Sequence, residues 1–232
     1  MKYVWLIWSS AFLIPWALLY FGKPGFRQKM LRVSLATSLL GLSEPIFVPE
    51  YWNPPSLFDL AQLTGFDIES LIFCFAIGGI GAVMYNAVTN QGLDEVPHSE
   101  RHNGRHRWHR LAIAAPFLLF PLLYFLPLNP IYPSIVALAV GGVANVLCRP
   151  DLLWNTLIGG VLFLLLYSIF MLLLVIFAPG YIEQVWNLPD ISGVLLGSIP
   201  LEELAFGFAF GLYWAGVYEH FTWHRSQVNQ GE

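Results

Sequence analysis

The sequence predicts an all-α integral membrane protein. Seven transmembrane helices are expected, as two parallel three-helix repeats (spans 1–3 and 5–7) joined by span 4, with the N-terminus outside. Three observations carry this. Of 232 residues, 56% are apolar and only 11% charged, where ordinary soluble domains are about 25% charged. Apolar runs of roughly 18 residues recur along the whole chain, and in lipid such runs must be helical, because the backbone has to satisfy its own hydrogen bonds. The basic residues also sort to one side. The net charge of −4 says little, since charge in a membrane protein is distributed by side.

The spans are expected at 3–22, 31–49, 68–88, 111–127, 131–148, 156–178 and 199–219. The first is read as a span and not a removable leader, being long and studded with Trp5, Trp8 and Trp16. Lys23, Arg27, Lys29 and Arg32 follow span one. Arg101, Arg105, Arg107 and Arg110 separate spans three and four. Arg149 follows span five and Arg225 follows span seven. Seven crossings put ten of the eleven Lys and Arg residues on one side, with only Lys2 opposite. That side is expected to be cytoplasmic, in a cell-membrane protein with an extracytoplasmic N-terminus and a cytoplasmic C-terminus. Cys74 and Cys148 fall in or at spans and imply no disulfide framework; packing is their expected role.

An internal repeat supports the two-unit arrangement. "YWNPP" (51–55) precedes "GFDIESLIFCFA", and "VWNLP" (185–189) precedes "GSIPLEELAFGFA". Alignment sets Glu69 over Glu202, Phe73 over Phe206, Phe75 over Phe208 and Tyr85 over Tyr218, an offset of 133 residues. Upstream, Lys23-Pro24 aligns with Arg149-Pro150 at an offset of 126. The expected organisation is a first repeat over 1–90, a basic loop plus linker helix over 91–130, a second repeat over 131–222 and a tail over 223–232. Span four is the spare, so both units insert in the same orientation. Glu69, Glu202, Glu203 and Glu44 (in "LSEPIF") then converge on the outer level.

Acids at a helix start have an ordinary use. They stabilise the dipole by about 0.3–1 kcal/mol, Pro200 suits a first turn, and Asp67 is a natural cap. The repeated acid asks for more. Two acids in one partly desolvated site cannot both ionise cheaply, and a protonated carboxyl among aromatics is a general acid for an apolar substrate. Phe73, Phe75, Phe206, Phe208, Trp52 and Trp186 flank the acids. Their faces can stabilise a cation by about 0.5–2 kcal/mol each, although Trp52 and Trp186 also suit an interfacial belt.

"PLEELAF", the preceding Trp-Asn turn and the three-span units resemble the membrane-embedded, non-flavin lycopene cyclase family. The resemblance is strongest around 185–210. It implies a redox-neutral intramolecular lyase or isomerase of carotenoid biosynthesis. An acid protonates the terminal double bond of a linear isoprenoid, a ring closes through a tertiary carbocation, and a base removes a ring proton. It implies no cofactor and a lipophilic carotenoid or related substrate. Carried over by position, Glu202 is the leading acid, Glu203 its partner or base, and Glu69 the matching acid of the first unit. Glu44, Phe73, Phe206, Trp52 and Trp186 are the binding candidates. The first half departs from the family, reading Asp67-Ile68-Glu69-Ser70 where Pro-Leu-Glu-Glu is expected.

A rival site lies among the histidines, all on the expected cytoplasmic side. His102, His106, His109, His220 and His224 (with His98) are spaced three or four residues apart within "HSERHNGRHRWHR" and "HFTWH", and such spacing places imidazoles about 5–6 Å apart on a helix. A metal-dependent membrane lipid oxygenase would use such boxes but needs more ligands. The plainer reading is a basic loop at anionic headgroups, with no metal. A non-catalytic isoprenoid-binding or transport role on the same fold is the further alternative. A retinal protein is excluded by the lysines, Lys2, Lys23 and Lys29, none of them in a late span. "GGIGAV" (78–83) lies mid-span and reads as close helix packing, not a dinucleotide loop. No nucleic-acid signal is present, and the sequence leaves the oligomeric state open.

Overall fold

The computed structural model describes residues 2–228 and is mostly helical. The first apolar run forms two helices, α1 (Val4–Ala11) and α2 (Leu13–Gly22), broken at Phe12. Pro15 explains the break, because its ring crowds the carbonyl four residues back, that of Ala11. The second run opens as α3 (Arg27–Ser38) and then tightens into 3-10 turns over Leu39–Ile46. Span two is therefore regular α-helix only in its first half. Pro45 crowds the carbonyl of Gly41 in the same way. Gly41 also abuts the next long helix so closely that a Cβ there would lie 2.7 Å from the Leu71 nitrogen.

A short helix, α4 (Leu60–Thr64), sits in the following connection. Next comes α5 (Ile68–Thr89), capped by Asp67, whose side chain accepts from the Ser70 amide at 2.5 Å. It ends at Asn90 in the left-handed region, φ 53°, and turns directly into β1 (Gln91–Glu95). After the single turn α6 (His98–Arg101) the linker helix α7 (His109–Tyr124) begins. Then follow α8 (Ile131–Cys148), α9 (Leu153–Phe177) and the short α10 (Tyr181–Val185). A tight pair, β2 (Leu195–Leu196) and β3 (Ile199–Pro200), leads into α11 (Leu201–Thr222). Trp223, at φ 59°, then turns the chain into β4 (His224–Val228).

Helix α5 packs on α3 and α11 packs on α8 and α9, while α5 and α11 meet at the centre and α7 covers α8. Gly78, in the "GGIGAV" stretch, lies against Thr37 of α3 where no side chain would fit. The corresponding Gly211 lies against Phe163 and Gly159 of α9. Two backbone pairings tie the halves together at opposite ends of α5 and α11. Strand β1 runs antiparallel to β4, with Leu93 facing Ser226. Trp52 forms an antiparallel bridge with Trp186, flanked by Asn53 N to Val185 O (2.8 Å) and Asn187 N to Tyr51 O (2.9 Å). The segment 223–232, expected as a tail, thus begins as a paired strand, because β1 offers it an open edge; 229–232 lie outside the described residues.

Among the described residues, four helical segments are long and apolar enough to cross a membrane: Val4–Gly22, Ile68–Thr89, Ile131–Cys148 and Pro150–Phe177. The surface is inverted relative to a soluble domain. Leu18, Phe21, Leu122, Phe125, Leu147 and Ile176 are exposed, while Lys29, Arg149, Glu203 and Glu219 are buried. The buried ionisable side chains lie in two layers. One, at the start of α5 and α11, holds Glu44, Asp67, Glu69, Glu202 and Glu203. The other, at their far ends, holds Lys29, Asn86, Asn145, Glu219 and His220. From Glu69 to Asn86 along α5 is roughly 25 Å at 1.5 Å per residue.

Candidate active site

A cavity of about 350 Å³ lies beside the carboxylate layer. Its wall is almost wholly aromatic and aliphatic, and two carboxyl groups reach it, Glu44 and Glu203. Glu44 comes from the 3-10 turns that continue α3, and Glu203 from the first turn of α11. Of the other expected site residues, Phe73, Phe206, Trp52 and Trp186 line the cavity, and Glu69 and Glu202 do not.

Glu203 is buried and held by three donors. Tyr51 Oη and Trp186 Nε1 (2.8 Å) donate to Oε1, and Tyr167 Oη (2.5 Å) donates to Oε2. A carboxylate offers about four acceptor sites, so one remains open. Burial, and after it the Glu203 carboxylate, push the Tyr51 hydroxyl well above the ordinary tyrosine range. Tyr51 therefore stays protonated and donates. Glu44 is held differently. Its Oε2 accepts from Ser70 Oγ at 2.9 Å, and its buried Oε1 has no hydrogen-bond partner among the described residues. Ser70 is the residue that replaces the second glutamate of the motif in the first half, and it serves here as the donor that orients Glu44.

The repeated pair Glu69 and Glu202 fastens loops. Glu69 Oε1 accepts from the Leu57 amide at 2.7 Å. Glu202 Oε1 accepts from the Ser192 amide at 2.9 Å and from Tyr132 Oη at 2.8 Å. Each acid thus ties the connection before its helix to the helix's first turn, an arrangement that also suits the helix dipole.

The aromatic wall is tightly built. Phe12 stacks on Phe170 with ring centres 3.7 Å apart and meets Phe73 edge-on at 5.3 Å. Trp52 lies 5.3 Å from Trp186 and 4.6 Å from Trp5. The two tryptophans expected in an interfacial belt are therefore turned inward, because their backbones pair with each other and Trp186 must reach Glu203. Such a wall excludes water and offers π-faces to a passing cation, worth about 0.5–2 kcal/mol each.

The hydroxyls of Tyr51, Tyr132 and Tyr167 were not legible as site residues. The available signal was Tyr167 within "LLLYSIF", a polar handle in an otherwise apolar span, since a buried Tyr hydroxyl needs a partner. Of the histidines, His106 and His109 meet at Cys148, and His220 touches His109. His102 bonds the His98 carbonyl and His224 bonds Thr222, so both stand apart. No histidine lines the aromatic cavity.

Residues 129–221 match the family model described as lycopene cyclase. The match spans α8, α9 and α11 and takes in Tyr132, Tyr167, Trp186, Glu202 and Glu203. This part of the chain is thus similar to lycopene cyclases and is consistent with a divergent domain of that kind. No curated protein and no solved structure matches the chain.

Proposed function

From the similarity of residues 129–221 to lycopene cyclases, we propose that this protein is a membrane-embedded isomerase that cyclises one end of a linear carotenoid or related isoprenoid by proton-initiated ring closure. The observation that carries the reading is the pairing of two differently held carboxyls, Glu44 and Glu203, on one aromatic cavity.

The two environments divide the work. Glu44 Oε1 is the carboxyl oxygen free to present a proton to the substrate. Protonation of the terminal double bond leaves a tertiary carbocation. The electrons of the next suitable double bond attack it, one C–C bond forms, and the positive charge moves onto the new ring. Glu203, fixed by Tyr51, Tyr167 and Trp186, faces that charge and takes the adjacent ring proton at its open acceptor site, which creates the ring double bond. One proton is given and one recovered, so the product is an isomer. Before the next turnover a proton returns to Glu44. This assignment moves the general-acid role from Glu202 to Glu44, keeps Glu203 as the base, and leaves Glu69 and Glu202 to hold the loops that frame the cavity.

The fold proposed for this activity has seven spans. The three not counted among the long apolar helices are α3 with its 3-10 extension, α7 and α11. Two parallel units, α1–α5 and α8–α11, would be related by an axis along the membrane normal. This is supported by the pairings Trp52–Trp186 and Leu93–Ser226, which join residues 134 and 133 apart and run antiparallel, as a two-fold axis requires. The left-handed caps Asn90 and Trp223 share the offset of 133. The basic connections keep the N-terminus outside and the cavity toward the outer leaflet. The histidine-based oxygenase is less well supported, since no histidine borders the cavity.

Co-expression in cells that accumulate lycopene, with chromatography of the extracted pigments, tests the reading. A cyclised carotene that disappears with Glu203→Gln, at unchanged membrane expression, is the expected result. Unchanged lycopene with the natural sequence well expressed would reject this substrate.

A further inference from the structure

At the end of the bundle opposite the carboxylate cavity, three chain segments bring nitrogen and sulfur atoms together. His106 Nδ1, from the 3-10 turn before α7, lies 3.6 Å from Cys148 Sγ at the end of α8. His109 Nδ1, at the first residue of α7, lies 3.6 Å from the same sulfur. All three atoms lie within 4.8 Å of one another. His220 Nε2, near the end of α11, is 3.0 Å from His109 Nδ1. As hydrogen bonding alone the cluster is poor, because a thiol has one weakly donating proton for two imidazoles. As a ligand set it is well dimensioned. A tetrahedral ion with Zn–S near 2.3 Å and Zn–N near 2.0–2.1 Å holds its donor atoms roughly 3.4–3.6 Å apart.

The surroundings are those of a prepared site. His220 Nδ1 lies 2.6 Å from Asn145 Oδ1, which accepts its proton and turns the Nε2 lone pair toward His109. Trp223 stacks on His109, ring centres 3.9 Å apart, and meets His106 edge-on at 5.0 Å. The nearby Arg149 guanidinium, which would repel a cation, is engaged by Asp151 at 2.5 Å.

We propose that Cys148, His106 and His109 bind one Zn²⁺-class divalent ion, with His220 poised as the fourth donor. The sulfur–nitrogen donor set selects a borderline-soft ion over Mg²⁺ or Ca²⁺. The role is structural. The ion clips the linker helix α7 to α8 and α11, far from the cavity, and stands independent of the cyclase reading.

The test uses the full-length protein, purified in detergent without a histidine tag, stripped with chelator and titrated with Co²⁺. The expected result is one equivalent bound, with a thiolate-to-cobalt charge-transfer band in the near ultraviolet. Cys148→Ser abolishes the band, Cys74→Ser and His102→Ala keep it, and His220→Ala weakens binding without removing it. Zn²⁺ raises the melting temperature of the unmodified protein. Absence of the band with folded natural protein overturns the proposal even if Cys148→Ser fails to fold. A band that survives Cys148→Ser and vanishes with Cys74→Ser overturns it as well.

Discussion

Replacement of Glu219 by glutamine removes one charge from a pair that no water reaches. Lys29 Nζ lies 2.5 Å from Glu219 Oε1 and 2.8 Å from Asn86 Oδ1, and the Lys29 and Glu219 side chains are 1% and 0% exposed. The amide conserves shape, so the change isolates the charge. An ammonium left buried among neutral groups costs about 3–5 kcal/mol. At 1.36 kcal/mol per tenfold, this lowers the folded-to-unfolded ratio by roughly two to nearly four powers of ten. The pair also joins α3 to α11, one from each half, so its loss loosens the halves against each other. The double variant Lys29→Met with Glu219→Leu removes both charges and is expected to be more stable than Glu219→Gln alone. Denaturant titration in mixed micelles, followed by tryptophan fluorescence, reads both. A single-variant loss below about 1 kcal/mol, the scale of a solvated pair, would show that the pair is not a buried ion pair, as would a double variant less stable than the single.

Four further outcomes follow from the site. Glu44→Gln keeps an oxygen for Ser70 and loses the proton, so turnover is expected to fall by about 10²–10⁴; pigment analysis at matched membrane levels checks this. Tyr167→Phe removes one donor from Glu203. A hydrogen bond to a charged group contributes about 1.5–3 kcal/mol, so conversion should drop by one to two powers of ten, and full conversion would mean Glu203 has no such role. Glu202→Gln should lower stability more than turnover, since Glu202 holds Ser192 and Tyr132 and does not reach the cavity; complete loss of activity in a variant of normal stability would return the acid role to Glu202. Gly211→Ala would place a Cβ 2.7 Å from both the Gly159 oxygen and Phe163 Cβ, and overpacking of this kind costs about 1–3 kcal/mol, seen as a lower melting temperature.

The helices were legible because apolar runs and prolines are local signals. Every expected run carries helix, and Asp67 caps as its position suggested. What failed was local regularity. The sequence gives no warning that Gly41 must abut Ser70 and Leu71, and it is this contact, with Pro45, that accompanies the 3-10 geometry presenting Glu44 to the cavity. The repeat singled out Glu69 and Glu202 because they match. The cavity instead uses the unmatched pair, Glu203 and Glu44, whose counterparts in the other half are Ser70 and Phe170 at the repeat offsets. Residues that match at the proposed repeat offset mark what both halves need, which here is loop anchoring. A single cavity draws on what the halves do not share. Tyr51 shows the same logic, since its counterpart in "VWNLP" is Val185. Cys148 looked like packing because its histidine neighbours are 39 and 42 residues away in sequence.

In the proposed mechanism a carboxyl proton starts ring closure, and uptake of solvent isotope reads that proton. Purified protein in lipid vesicles with lycopene is incubated in D₂O, and the products are separated and weighed by mass spectrometry. The donor carboxyl exchanges with solvent, so one deuterium is expected to be retained for each ring closed, and none in unreacted lycopene. A cyclised product without deuterium would contradict it.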